Sequence, residues 1–114
     1  LHGSAALLLA DDATLRDLNA RFRGVDRPTN VLSFPSGDMA RGFLGDIALA
    51  FETCAREAEA QGKTLGDHAA HLIAHGLLHL AGADHENDAE ALVMEGKEVA
   101  ILASLGIKNP YLEL

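Results

Sequence analysis

The stretch HGLLHLAGADH, residues 75–85, holds three histidines in eleven positions, spaced as His75-x3-His79-x2-Gly82-x2-His85. On a helix His75 and His79 project from one face about one turn apart, which suits two imidazoles on one metal ion. His71 shares that face but lies two turns from His79, about 12 Å at the helical rise, so the three in-line histidines cannot share an ion. A third ligand must come from a chain that turns back. Gly82 provides the break, because glycine accepts the left-handed conformation that ends helices, and Ala83 and Asp84 leave just enough chain to return His85. A pair, a break and a third histidine at this offset outweigh the alternative of scattered histidines on a solvated helix.

Neutral imidazoles without thiolates suit zinc first, with nickel, copper and iron as competitors decided by availability. Three protein ligands leave a fourth position open, and an ion that keeps its double charge brings the pKa of a bound water towards 7. The expectation is one zinc ion per chain at a hydrolytic site. The spacing is also that of the HExxH zinc proteases, whose glutamate takes the proton from the attacking water. Gly76 stands at that position and cannot do so. Candidate substitutes are Asp84, Glu86, Asp46 or a phosphate on the substrate itself, with Asp84 fitting better as an acid that orients a histidine. Gly76 reads either as a close approach of backbone or substrate to the helix or as packing.

Around this motif the pattern is strand, helix, strands, then helices. Ser4–Ala10 (SAALLLA) suits a buried strand. A helix follows from Asp11 or Asp12 as N-cap, with Leu15, Leu18 and Phe22 at helical spacing and Gly24 as a stop. NVLSF, residues 30–34, reads as a strand that Pro35 closes, with a loop beyond it. Residues 42–51 alternate, placing Ile47, Leu49 and Phe51 on one face of a strand that forms a hairpin with the one before. Helices are expected over 52–62, 64–82 and 86–106, each ending at a glycine. The fold class is therefore α+β: a small mixed β-sheet with helices packed on it, and the metal site on a long central helix and the turn after it.

The 114 residues suit one domain, 1–114, with a core at the small end. A single cysteine, Cys54, forbids an intrachain disulfide and makes a reducing cytoplasm the default. The run AALLLA is too short to span a bilayer and lacks the basic flank of a signal peptide. A net charge of −8 argues against a generic nucleic-acid binder. That charge is uneven, since residues 1–45 balance five arginines against five aspartates. Arg16, Arg21, Arg23 and Arg27 fall within twelve positions, either as a local positive patch or as a solvated helix face. Met94 reads as core rather than as a protease-like methionine turn.

HGLLHLAGADH, with HLIAH before it, resembles the HGxLHLxGYDH signature of the YbeY family of bacterial rRNA-maturation endoribonucleases. LNARFRGVDRPTNVLSFP, LGDIALA and the terminal KNPYLEL are similar to further family blocks, so the resemblance runs from about Ala5 to Tyr111. It implies His75, His79 and His85 as zinc ligands, with Arg23 and His75 as catalytic residues. Arg23 would contact RNA or stabilise charge on a phosphate, for which a planar guanidinium is suited. His71 and Asp84 would shape the site or position substrate. Asp46, on the second strand, either reaches the site to position substrate or anchors the hairpin. Ala83 replaces the tyrosine common in the signature, which bears on substrate affinity more than on metal binding. The family normally begins with a further strand and helix, which this chain is expected to lack.

The leading expectation is a metal-dependent, single-strand-specific endoribonuclease of rRNA maturation and ribosome quality control. Its partners would be single-stranded ribosomal RNA and the ribosome or small-subunit assembly proteins, with no membrane and no DNA. The alternatives are a zinc hydrolase of another class, protease or amidase, and a non-catalytic ribosome-assembly module with a structural metal.

Overall fold

The computed structural model describes residues 3–38, 41–82 and 87–111. Its elements are β1 (Ser4–Ala10), α1 (Asp12–Arg23), β2 (Val31–Asp38), β3 (Phe43–Ala50), α2 (Phe51–Ala60), α3 (Leu65–Leu80) and α4 (Asp88–Ser104). The sheet is mixed, in the order β1-β3-β2: β1 runs parallel to β3, and β2 runs antiparallel to it. This is the expected α+β arrangement.

Local chemistry starts three of the helices. The side chains of Asp11, Thr64 and Asn87 accept hydrogen bonds from the amides of Thr14, Asp67 and Glu90, each satisfying a donor that the first turn leaves open. Of the two aspartates proposed as the first cap, Asp11 takes the role. Asp12 instead ties α1 to α2, accepting from the Thr53 amide at 3.0 Å, its hydroxyl at 2.8 Å and Arg56 at 2.9 Å.

Central β3 is buried on both faces from Ile47 to Ala50. Ala48 and Ala50 join Leu15 and Leu32 beneath α1, while Ile47 and Leu49 pack towards α3 with Leu72, Leu80 and Cys54. Fully buried leucine and isoleucine side chains each contribute about 1.5–3 kcal/mol, so this double layer is the main stabilising feature. Helix α3 lies against β2 and β3 on one side and against α2 and α4 on others.

Four expectations need correction. Ser4–Ala10 is a strand but not a buried one: Leu7, Leu8 and Leu9 are 54%, 50% and 60% exposed, because among the described residues β1 packs on β3 and no helix lies closely over its faces, unlike β2. β2 does not stop at Pro35 but continues to Asp38, tolerable because β2 is an edge strand that needs no ladder amide there. Phe51 opens α2 and is exposed rather than extending the β3 face. Phe22 also leaves the α1 core stripe, standing exposed with its ring edge-on to Phe34 at 5.6 Å.

Candidate active site

His75 and His79 sit one turn apart on α3, half-buried, with ring centroids 4.6 Å apart and rings steeply inclined. Their Nε2 atoms converge to 3.0 Å. Two nitrogens bound at 2.0–2.1 Å to a tetrahedral zinc would lie about 3.3 Å apart, so the pair fits a shared ion. Among the described residues no third histidine, cysteine or carboxylate completes a metal group. The expected third ligand, His85, lies outside the described residues, as do Ala83, Asp84 and Glu86. Helix α3 ends at Leu80 with Ala81 as its C-cap, and Gly82 just beyond takes the expected positive φ, +97°.

Gly76 explains how α3 reaches this position. It is buried, and a Cβ there would lie 3.0 Å from Ser33 Oγ and 3.2 Å from Ile47 Cδ1. The missing side chain thus lets the helix backbone settle on β2 and β3, and the Ser33 hydroxyl donates to the Gly76 carbonyl at 3.4 Å. Of the two readings of this glycine, packing is the one the geometry supports. The position faces the sheet, and a glutamate would have no room there.

Behind the histidine pair stands Glu98 of α4, fully buried. It accepts from His75 Nδ1 and from the Tyr111 hydroxyl, and its Oε2 lies 3.3 Å from His71 Nε2. Burial alone would push this carboxyl up. The hydrogen bonds from His71, His75 and Tyr111, with the field of His75, overcome that and hold it well below the usual carboxylate range. The Tyr111 phenol is pushed above its ordinary value, first by burial and then by its bond to Glu98. His71 therefore meets Glu98 and Tyr111, at 3.1 Å from the phenol oxygen, rather than the Nε2 pair.

In front of the pair opens a cleft of about 480 Å³, lined by His75 and His79 on one side and by Arg23 and Asn19 of α1 on the other, with Ser33 and Pro35 of β2 between. Arg23 ends α1 and donates from one terminal nitrogen to the Ser33 carbonyl at 3.0 Å, which aims the guanidinium across the strand edge. The arginine cluster is partly neutralised: Arg16 pairs with Asp26 at 2.8 Å and Arg21 with Asp17 at 3.2 Å. Among the described residues Arg23 has no carboxylate partner, so its charge faces the cleft uncancelled. Asp46 is exposed on β3 and does not line the cleft.

Sequence reasoning missed Glu98 and the role of Tyr111. A signal existed, since Glu98 stands one turn from Met94 and one from Leu102 in an otherwise apolar buried stripe. An acid at such a position is buried only when partnered.

Fold and site together define a small α+β domain that sets paired imidazoles and an arginine on opposite walls of one open cleft. The sequence matches the family model described as Endoribonuclease YbeY over residues 4–106. The chain belongs to that family. It is 55% identical to an Endoribonuclease YbeY of Paramagnetospirillum magneticum, over 93% of this chain and 70% of that one. It is 52% identical to the protein of that name from Rhizobium etli, over 93% of this chain and 65% of the relative, and 53% identical to that of a Jannaschia species, over 93% and 74%. The chain thus spans about two thirds to three quarters of these relatives' lengths. The fold is also similar to the solution structure of TM1509 from Thermotoga maritima, at 26% identity and a TM-score of 0.58, covering 91% of this chain and 71% of that one.

Proposed function

We propose that the chain is a zinc-dependent endoribonuclease that cleaves single-stranded ribosomal RNA in the cytoplasm, with the ion held by His75, His79 and His85. The observation that carries this reading is the cleft itself, where two Nε2 atoms 3.0 Å apart share a cavity with the Arg23 guanidinium. Family membership supplies the substrate class, because the relatives are named endoribonucleases. Among the described residues no helix is long and apolar enough to cross a membrane.

A divalent ion bound at this pair supplies Lewis acidity and a water of lowered pKa. The protein's own contribution is positional. His75 and His79 are held on a helix that cannot slide, because Gly76 is seated on Ile47 and Ser33. Arg23 keeps one terminal nitrogen on the Ser33 carbonyl, and its remaining N–H donors are available to phosphate oxygens in the cleft, where charge rises as the phosphodiester is attacked. A protease reading is disfavoured by Gly76, which leaves no space for the glutamate that such chemistry needs.

The test measures zinc content and cleavage of single-stranded RNA for the wild type, His79→Ala and Arg23→Glu. Loss of zinc and cleavage in the first variant, and loss of cleavage with zinc retained in the second, are expected. Unchanged RNA cleavage in both variants would overturn the proposal.

A further inference from the structure

Among the described residues Glu98 is the only acidic side chain that is buried, and it lies against one member of the histidine pair. Both Glu98 oxygens are engaged as acceptors, Oε1 by His75 Nδ1 and Oε2 by the Tyr111 hydroxyl beside His71 Nε2, so the ring nitrogen facing Oε1, His75 Nδ1, carries the proton. A neutral imidazole has one N–H, which leaves a lone pair on His75 Nε2. That atom is the one that meets His79 Nε2 at 3.0 Å and borders the cleft. The carboxylate is itself held in place: its second oxygen receives the Tyr111 hydroxyl and lies 3.3 Å from His71 Nε2, and its carbon chain is fixed in the buried stripe of α4 between Met94 and Leu102. Neither oxygen can turn away from its partner without leaving a donor of this network unmet.

We propose that Glu98 is a positioning residue that fixes His75 as its Nδ1–H tautomer and so presents the Nε2 lone pair to the metal. This rests on the metal reading of the His75–His79 pair. It gives the network behind the cleft a chemical purpose beyond holding α4 on α3. His71 takes part as a neighbour of the same carboxylate rather than as a ligand, in keeping with its distance along the helix from His79.

The experiment records long-range proton–nitrogen spectra of the metal-free, nitrogen-15-labelled chain at a pH above the imidazole range. Zinc affinity is measured in parallel by competition with a chromophoric chelator. The wild type should show His75 protonated on Nδ1. Glu98→Gln keeps an accepting oxygen and should keep the tautomer. Glu98→Leu fills similar volume without an acceptor and should give mixed tautomers, with zinc affinity lower by about 10–100-fold. A wild-type His75 protonated on Nε2 overturns the proposal with no variant needed. A folded Glu98→Leu protein that keeps either the tautomer or the affinity also overturns it, as does a Glu98→Gln protein that loses both. If the wild type takes up no zinc, the metal reading fails instead, and the spectra alone still decide whether Glu98 sets the tautomer.

Discussion

Ser33 donates its hydroxyl to the carbonyl of Gly76, tying β2 to the turn of α3 that carries both paired histidines. The same contact limits what residue 76 can be. A methyl group there would crowd Ser33 Oγ and Ile47, and overpacking a core costs about 1–3 kcal/mol, against about 1 kcal/mol regained from alanine's helix propensity. Gly76→Ala should therefore lose about 1 kcal/mol in urea unfolding. Gly76→Glu, which restores the protease motif, should lose more than about 3 kcal/mol, because it forces a carboxylate against Ile47. A Gly76→Glu protein as stable as the wild type would mean that this face is open.

Arg23 should be sensitive to shape as well as charge. Lysine keeps the charge but loses the planar fork that can hold the Ser33 carbonyl and a phosphate together. Arg23→Lys is expected to reduce RNA cleavage by about 10-fold or more, with zinc content unchanged, and Arg23→Ala to lower the salt dependence of RNA binding by about one phosphate contact. An unaltered salt slope would place the guanidinium off the RNA path.

Asp12 sets an acid limb on stability. Burial pushes its carboxyl up, but the bonds from Arg56 and Thr53 outweigh this and hold it below the ordinary value. A depressed folded value means that its contribution is complete above the unfolded pKa, about 4, and is lost as pH falls through the folded one. At pH 7 Asp12→Ala should cost about 1–3 kcal/mol, and the gap from the wild type should narrow as urea titrations move towards pH 3. A gap constant with pH would show that the carboxylate charge is irrelevant there.

Cys54 should be inert in the folded chain. Burial, followed by the fields of Glu57 and Asp12, pushes its thiol up to about 11, and its sulfur is covered by the α2–α3 core. Alkylating reagents at pH 8 should label it only at the rate of unfolding, a prediction checked by mass spectrometry with and without denaturant. Rapid labelling in native buffer would contradict the packing described.

The histidine pair was legible because four-residue spacing has one geometric meaning on a helix, and Asp11, Gly24 and Gly82 mark helix termini in a way that local chemistry dictates. What lay beyond reach depended on neighbours. Three leucines in β1 promise burial, yet no local rule reveals that no helix packs closely over their strand. Pro35 announces a strand end unless its strand is known to be an edge. Glu98 gains its purpose only when α4 crosses α3, a contact between residues more than twenty positions apart. His85 and Asp84 remain as the sequence proposes them, outside the described residues, while Asp46 stands exposed on β3 away from the cleft lining.

The two walls of the cleft come from opposite faces of the sheet, α1 over Leu32 and Ala48, α3 over Ile47. The gap between guanidinium and imidazoles is thus gauged by the thickness of a single strand, as in a caliper whose jaws share one bar. Ser33 opposite Ile47 and Phe34 opposite Asp46 record the setting of that bar. A slip of one residue in β2 would exchange the faces of Leu32 and Ser33 and spoil the gap even with Arg23, His75 and His79 unchanged. Strand registry is therefore part of the chemical apparatus, and conservative changes at the sheet centre should detune cleavage before they unfold the chain.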